Sequence, residues 1–535
     1  MQASTVESRP TRRLRATYWV LALLLLASQA RVLHSISSKI TDEDQTLLWF
    51  GGHELANLRP HTPNFYGQTY NPNFYGQTYN TVFEALPGQL LTMMGMPLSL
   101  ASPLGTTAIA TLCWAVLAWA SYRQRQYLSA ALALCLPFLL STEYLILFDT
   151  PRGVLAGDLL SALTVVTAIT LRNPNARLGV VTALGGLAGL WDQATVVVVL
   201  PVLAVAFIAA LRSPRKRWSR SMAALLGGGS LPVAWWSFQK WFYRSHPYDN
   251  ISPSVDASFS IETLVRNVKD PGRLFDFYSL RLQPNSYVSL AIAVLLIGAA
   301  ILVGGRRRYE PAVVSLVTVA CVLIILSVPK TLDAHPGIYL SGSRFFLPLP
   351  LALWSIAYYT IEAWKSKDQE SVDSKASKER TIVVGVTILS LASFALSQFS
   401  FGADMAKDLE ISQKPEAIVQ LTDPDALLAT CNRLKDDYFA LGAEVLVTPD
   451  RNVAYGCATL DMDTIRQDYD RRGWVLEDAK TRVVTRILVF GWPCEAFDAS
   501  VGTCVPQKSG AQLLTTAPRS IAATMRAAGL PIRGT

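Results

Sequence analysis

Three consecutive acidic residues, Asp42, Glu43 and Asp44, follow closely after the first apolar stretch of the chain. A carboxylate beside a membrane surface can act as a general base, accepting a proton from an attacking hydroxyl or amine. The same residues also fit a helix N-terminus, where Thr41 or Asp42 caps the backbone and the acids complement the helix dipole. The two interpretations are compatible, because a capping carboxylate beside the membrane is well placed to accept a proton.

Glu84 is a second acid of interest, because it stands immediately before the chain re-enters apolar sequence at Ala85-Leu86-Pro87. It is either an ordinary interfacial residue or the partner of the acids at the start of the same segment.

The elements around these acids have the composition of a membrane protein. Hydrophobic residues make up 51% of the 535 residues and charged residues 16%, whereas roughly a quarter of the residues in a soluble protein are charged. Long apolar runs alternate with short connections up to about Phe399, and the rest has soluble composition. The sequence therefore predicts an α-helical polytopic membrane domain over residues 1–399 and a small α+β domain over residues 400–535.

Eleven apolar runs are candidate membrane spans. They are Ala16–Leu33, Pro103–Ala120, Leu128–Leu147, Gly153–Leu171, Leu178–Leu190, Ala194–Leu211, Ser221–Phe238, Val288–Val303, Ala312–Val328, Phe345–Ile361 and Thr381–Phe399.

Basic clusters set the predicted orientation of these spans. They precede the first run and recur at Arg123/Arg125, Arg172/Arg177, Arg212–Arg220, Arg306–Arg308 and Lys365–Arg380. Lys and Arg near a span resist translocation, so we predict a cytoplasmic N-terminus. The first run is longer than the apolar core of a signal peptide and ends in a poor cleavage site, so we predict a retained signal anchor in the plasma membrane. The C-terminal domain and a large first loop, residues 34–102, are then outside. The net charge of +8 is explained by this topology and does not indicate a nucleic-acid partner.

The positions of the basic residues also determine how many times two ambiguous stretches are predicted to cross the membrane. Reading Leu178–Leu211 as two short helices that turn at Asp192, rather than as one span, keeps the Arg212–Arg220 cluster inside. Conversely, Leu90–Leu100 and Pro103–Ala120 cannot both cross, so the first is predicted to be an interfacial or re-entrant helix.

Cysteine usage agrees with an exported C-terminal domain. Cys431, Cys457, Cys494 and Cys504 all lie there and allow three disulfide pairings, of which we favour Cys431–Cys457 with Cys494–Cys504. A zinc site is the rival interpretation, but the domain has no C-x-x-C motif and no histidine. Its pattern predicts helices near Pro424–Leu441 and Asp463–Arg472 and strands near Glu444–Val447 and Arg482–Phe490.

The nine residues Pro63–Asn71 are repeated at once as Pro72–Asn80. Two copies are too few for a solenoid. We interpret them as a duplication tolerated in an exposed loop, although their aromatic and amide side chains would also suit sugar binding.

In order and position, several motifs resemble the GT-C superfamily of membrane glycosyltransferases, which includes protein O-mannosyltransferases and lipid A aminoarabinose transferases. Asp42-Glu43-Asp44 is similar to the acidic motif of the first outside loop, and Glu84 with Pro87 to the acid and proline that end it. Gly186–Trp191 with Pro201 resembles a mid-chain family segment, and Ser343–Pro348 the opening of a late span. The resemblance covers roughly residues 16–361 and leaves the C-terminal domain unmatched.

The resemblance implies an enzyme that passes a sugar from a polyprenyl-phosphate carrier to a lipid, glycan or protein acceptor at the outer face. Asp42 would be the base, with Asp44 as its nearest rival, and Glu84 would position the acceptor. Cations would stabilise the departing lipid phosphate, and a divalent cation beside the acids is compatible with the family, although many members need none. The implied phosphate-binding residues are Arg152, Lys330, His335 and Arg344, with Asp149 orienting Arg152 or binding the acceptor.

Three other functions stay open. A transporter or lipid-linked glycan flippase would bury ionisable residues within its spans, and Glu143, Asp149, Asp158 and Asp192 are the residues to check. A ligase that joins whole glycan chains, or a non-enzymatic anchoring protein, is also compatible with this topology.

Overall fold

The computed structural model describes residues 83–139, 155–212, 218–245, 259–269, 284–304, 308–327, 348–365, 385, 421, 423–458, 460, 462–468, 473–533 and 535. These residues are mostly helical, with one small sheet near the C-terminus. The helices before residue 366 are α1 (Leu86–Met93), α2 (Leu98–Arg123), α3 (Tyr127–Leu139), α4 (Leu155–Thr170), α5 (Pro174–Trp191), α6 (Val196–Leu211), α7 (Trp218–Ser245), α8 (Ile261–Val268), α9 (Pro284–Gly304), α10 (Glu310–Ser327) and α11 (Leu349–Lys365).

Within the described residues, three helices are long and apolar enough to cross a membrane, Leu100–Arg123, Gln193–Leu211 and Glu310–Ser327. Nine of the eleven predicted spans fall on the helices α2 to α7 and α9 to α11. The other two, Ala16–Leu33 and Thr381–Phe399, lie outside the described residues apart from Gly385. Membrane association is therefore supported, and eleven crossings remain a prediction.

The predicted turn at Asp192 is confirmed. Helix α5 ends at Trp191, a 3₁₀ turn covers Gln193–Thr195, and α6 begins at Val196. The Asp192 carboxylate accepts a hydrogen bond from the Ala194 N–H (2.9 Å), which satisfies a backbone donor that the helix break would otherwise leave unpaired. The stretch predicted to be interfacial or re-entrant is covered by the short helix α1 and the first residues of α2.

The bundle has two chemically different ends. Helices α2 and α4 run in the same direction, because the Gln124 amide after the end of α2 donates to the Ile169 carbonyl near the end of α4 (2.6 Å). Helices α5 and α7 are also parallel, since the Ser221 hydroxyl near the start of α7 donates to Asn175 at the start of α5 (3.0 Å). One end, called the basic end, carries Arg123, Arg125, Arg172, Arg177, Arg212, Arg220 and Arg308. The starts of α2 and α4 and the break between α5 and α6 lie at the opposite end, called the acidic end.

Glycines allow α5 and α7 to approach closely. A Cβ atom on Gly228 would overlap the carbonyl oxygen of Gly179, whereas Cβ atoms on Gly227 and Gly229 would meet no described residue within 4 Å.

This difference predicts opposite effects for three neighbouring alanine substitutions. Gly228→Ala is expected to force α5 and α7 apart at a cost of about 1–3 kcal/mol or more. Gly227→Ala and Gly229→Ala are expected to be neutral or stabilising by about 0.5–1 kcal/mol, because alanine favours the helix. Thermal unfolding of the purified chain in detergent measures the difference, and equal midpoints for the three variants would contradict the close contact.

The C-terminal domain contains helices α12 (Pro424–Ala440), α13 (Arg451–Ala458), α14 (Gly473–Thr481) and α15 (Ile521–Ala527) and strands β1 (Val445–Thr448), β2 (Thr464–Arg466), β3 (Val483–Val489), β4 (Thr503–Pro506) and β5 (Gln512–Ser520). The strand order is β2-β1-β3-β5-β4. Strand β1 pairs in parallel with β2 and β3, whereas β5 is antiparallel to β3 and β4. The sheet is thus mixed, with helical crossovers between its parallel strands.

Three of the four predicted elements of this domain are confirmed, and one is wrong. The helix predicted over Asp463–Arg472 is replaced at its start by strand β2, whose Thr464 and Ile465 are buried against β1. A strand of three residues is too short to show an alternating pattern in the sequence. It forms because its pairing with β1 stabilises it. Both favoured disulfides, Cys431–Cys457 and Cys494–Cys504, are present.

The C-terminal domain is docked on the acidic end of the bundle. The Leu98 N–H at the start of α2 donates to the Asp425 carboxylate in α12 (2.7 Å). The Leu98 side chain is buried in the apolar core of the domain, in the same cluster as Leu427 and Cys431. This contact brings the disulfide-bonded domain and the acidic end together.

Candidate functional site

Three carboxyl side chains from separate chain segments are buried together at the acidic end. Glu84, Asp158 and Asp192 are 0%, 6% and 4% exposed. Glu84 lies in a single 3₁₀ turn ahead of α1, Asp158 in the first turn of α4 and Asp192 at the break after α5. The negative charges of both Asp192 and Glu84 act on Asp158.

Glu84 connects this cluster to the start of α4. Its Oε2 atom accepts a hydrogen bond from the Leu155 N–H (2.8 Å). The first N–H groups of a helix have no partner within the helix, and a carboxylate there also complements the helix dipole. Glu84 therefore fixes the turn of α4 that carries Asp158.

Asp158 has a carboxylate oxygen that is not committed to a hydrogen bond. Its Oδ1 atom is buried and has no hydrogen-bond partner among the residues that the structure describes. The preceding residue, Gly157, lies directly against Asp192, because a Cβ atom at position 157 would lie 2.7 Å from the Asp192 Cβ. A buried carboxylate oxygen of this kind is stabilised by a bound hydroxyl, ammonium or proton.

Aromatic rings line the same place. The Phe83 ring lies 4.8 Å from the Trp191 ring and 6.0 Å from the Trp235 ring, and the two indoles are 5.8 Å apart. Within the described part of the chain, the Nε1 donors of Trp191 and Trp235 are buried without an acceptor. We call Phe83, Glu84, Asp158, Trp191, Asp192 and Trp235 the acid–aromatic cluster.

The acid–aromatic cluster combines flat apolar faces with unsatisfied polar atoms. A ligand that satisfies it must present apolar C–H groups to the rings, hydroxyl acceptors to the indoles and a proton donor to Asp158. A sugar ring has all three. Among the described residues, no group of three His, Cys, Asp or Glu side chains has the spacing of a metal site.

Glu84 is the one predicted site residue that the structure describes, and it belongs to the cluster. The other predicted residues, Asp42, Glu43, Asp44, Asp149, Arg152, Lys330, His335 and Arg344, lie outside the described residues. The repeated segment 63–80 lies outside them as well.

Sequence reasoning did not assign Asp158, Asp192 or the three aromatic residues to a site. Asp192 decided a turn, and both Asp158 and Asp192 were only among the four acids to check for a transporter. The available signal was a single acid within an otherwise apolar stretch, which is costly in a membrane protein and therefore tends to be functional. Phe83 and Trp191 each adjoin one of the acids in the sequence.

The basic end contains a polar cavity of 110 Å³. Several of its lining side chains are paired within the protein, whereas the buried Glu310 Oε2 and Tyr359 hydroxyl have no hydrogen-bond partner among the described residues. The Arg308 guanidinium forms an ion pair with Glu362 (2.8 Å), and the Arg177 guanidinium donates two hydrogen bonds to the Leu171 carbonyl (2.8 and 2.6 Å). Arg212 lies over the Tyr309 ring, 4.1 Å from its centroid. These contacts tie the ends of several helices together, so we regard this region as structural.

In comparisons with known proteins, no family model matches the chain and no curated protein matches it. The function of the chain is therefore inferred from its own geometry and chemistry.

Proposed function

We propose that this protein is a membrane glycosyltransferase that moves a sugar from a polyprenyl-phosphate carrier to an acceptor at the outer face of the membrane. The observation that carries the proposal is the acid–aromatic cluster, in which three carboxyls and three aromatic rings meet at one end of the helical bundle.

The location of the cluster supports an outward-facing site. The cluster lies at the acidic end, where the domain with two disulfides is docked through Leu98 and Asp425. Disulfides form in oxidising compartments outside the cytoplasm. The arginines gather at the opposite end, as expected for the cytoplasmic side of a membrane protein.

The chemistry proposed for the cluster is a single displacement. The acceptor oxygen forms a bond to the anomeric carbon of the sugar while the bond from that carbon to the phosphate oxygen breaks. A carboxylate takes the proton of the acceptor hydroxyl, and the electron pair of the broken bond stays on the departing lipid phosphate. Cations stabilise that phosphate, the role that the sequence predicts for Arg152, Lys330, His335 and Arg344.

Asp158 joins Asp42 as a candidate for the base. We favour Asp158, because its Oδ1 atom is available within a cluster that also contains the aromatic rings. Glu84 and Asp192 are then positioning residues, since Glu84 holds the start of α4 and Asp192 holds the break between α5 and α6.

A transporter or flippase is the second candidate, and the burial of Asp158 in a bundle helix favours it. The position of Asp158 in the first turn of α4, beside the helix break at Asp192, is more typical of a site near one face of the membrane than of a pathway through its middle.

The deciding experiment compares cells with and without this chain. If the protein is a transferase, its loss is expected to leave a lipid-linked sugar on the outer leaflet, within reach of membrane-impermeant periodate, and to remove that sugar from a surface glycan. Accumulation of the same lipid where periodate cannot reach it would indicate a flippase. Unchanged lipid-linked sugars and surface glycans would contradict both functions.

Thiol labelling of intact cells is expected to report an exported C-terminal domain. Because Cys431, Cys457, Cys494 and Cys504 are all paired, they should resist a membrane-impermeant maleimide until a reductant is added and then react without permeabilisation. The buried thiols of Cys113 and Cys321 provide the internal control, since they should stay unlabelled in the folded protein. Labelling of the four cysteines only after permeabilisation would reverse the orientation and with it the proposed side of the reaction.

A further inference from the structure

The aromatic rings do not end at the acid–aromatic cluster but continue along α7. The Trp235 ring lies 5.8 Å from Phe238, and Phe238 lies 6.1 Å from Trp241. The three residues are spaced by three positions, which places them on one face of the helix. We call Trp235, Phe238 and Trp241 the aromatic ladder.

The aromatic ladder continues past the last residue of α5. Trp235 is level with Trp191, the last residue of α5, because the two rings are in contact. Helix α7 continues to Ser245, which is about 15 Å further at 1.5 Å per residue. Exposure of the rings rises in the same direction, to 39% at Phe238 and 61% at Trp241.

We infer that the aromatic ladder binds the acceptor, and that the acceptor is a carbohydrate chain of several sugars rather than a single sugar or a lipid. This inference rests on the proposed function. The terminal sugar of the chain lies in the acid–aromatic cluster, with its reacting hydroxyl at Asp158. The preceding sugars stack on Phe238 and Trp241, so that the chain leaves the protein on the outer side.

Two observations favour a carbohydrate over the isoprenoid tail of the donor. The indole N–H groups of Trp191 and Trp235 are buried without an acceptor among the described residues, and an isoprenoid has no oxygen to offer them, whereas sugar hydroxyls do. The direction of the ladder also differs from that of a lipid tail, because a tail returns into the bilayer while the ladder extends beyond the end of α5.

The rival explanation is an aromatic belt at the membrane surface, where tryptophans commonly lie without binding a specific ligand. Trp218 provides a matched control for that possibility. It lies on the same helix at the basic end and is 60% exposed, nearly the same as Trp241. If both residues have only an interfacial role, replacing either one should have a similar effect. If the ladder binds the acceptor, replacing Trp241 should weaken oligosaccharide binding and replacing Trp218 should not.

The test measures binding of the purified full chain to arrayed oligosaccharides. The probes are linear oligomers of one, three and six residues of mannose, glucose, galactose, arabinose and N-acetylglucosamine. For one of these sugars, the affinity is expected to increase from the single residue to the oligomer of six. Phe238→Ala and Trp241→Ala are each expected to weaken binding of the six-residue oligomer by roughly 3- to 10-fold, the usual effect of one aromatic contact. The same variants should leave binding of the single sugar unchanged.

Trp218→Ala is expected to bind every oligomer as the parent does. Binding that does not depend on length, equal losses in Trp218→Ala and Trp241→Ala, or no binding to any series would each overturn the inference. Binding is measured without transfer, so the two proposals can fail separately. Length-dependent binding without transfer would support acceptor binding by the aromatic ladder and contradict the transferase function. Transfer without length-dependent binding would support the transferase function and contradict acceptor binding by the ladder.

Discussion

Replacing Asp158 with asparagine is expected to lower the rate of sugar transfer by about 10²–10⁴-fold, the usual loss when a general base is removed. The amide has nearly the shape of the carboxyl, so expression and thermal stability should stay close to those of the parent. The reason is the position of Oδ1, which is buried in the turn of α4 that packs against Asp192 and has no partner among the described residues. The measurement is the transfer rate of the purified variant with a saturating lipid-linked donor.

Glu262→Gln is a suitable control, because Glu262 forms an exposed ion pair with Arg266 on α8. It should keep the parental rate, since exposed ion pairs contribute little. Glu84→Gln should lower the rate less than Asp158→Asn, because the amide oxygen can still accept the Leu155 N–H.

Asp42→Asn separates the two candidates for the base. A normal rate in Asp158→Asn combined with a severe loss in Asp42→Asn would place the base in the first outside loop and leave Asp158 a structural role. Normal rates in both variants, with Asp44→Asn and Glu84→Gln equally active, would remove the carboxylate mechanism altogether.

Gly157→Ala is expected to reduce transfer by about 10²-fold, the order of loss that a displacement of about 1 Å at a reacting centre produces. The added Cβ would lie 2.7 Å from the Asp192 Cβ and 3.4 Å from the Thr195 Cγ2, so α4 must move away from the helix break. That movement changes the relation between Asp158 and Asp192 without replacing any polar group of the cluster.

Gly189→Ala is the matched control for this change, because its Cβ would meet nothing within 4 Å in the part of the chain that the structure describes. It lies in α5, only two residues before Trp191, and should keep parental activity with equal or higher thermal stability. The quantities to compare are kcat/KM and the unfolding midpoint. Parental activity in Gly157→Ala would show that the spacing between α4 and Asp192 does not matter for the reaction.

Local features of the sequence were sufficient for several elements. The apolar runs predicted the positions of helices α2 to α7 and α9 to α11, since a run of apolar side chains determines what a segment must bury or expose to lipid. The basic cluster after Leu211 was enough to predict the turn at Asp192. Four cysteines with no metal-binding spacing predicted disulfides, and the favoured pairing of Cys431 with Cys457 is the observed one.

Local sequence was not sufficient where an element depends on its neighbours. Strand β2 has three residues and exists because it pairs with β1, so its sequence alone was read as part of a helix. The same limit applies to Leu98, which begins a bundle helix and yet is buried in the core of the C-terminal domain.

The acid–aromatic cluster is the clearest case of what tertiary structure decided. The sequence by itself identified Glu84 as a candidate and treated Asp158 and Asp192 as isolated acids. Glu84 is 71 positions from Leu155, the residue it binds, and Gly157 meets Asp192 only because α4 packs against the break after α5. Composition and periodicity describe one segment at a time, whereas the energy that assembles these three acids comes from helices packing against one another through small residues. The sequence thus determined which segments enter the bundle, and the packing of those segments decided which carboxyls and rings share a site.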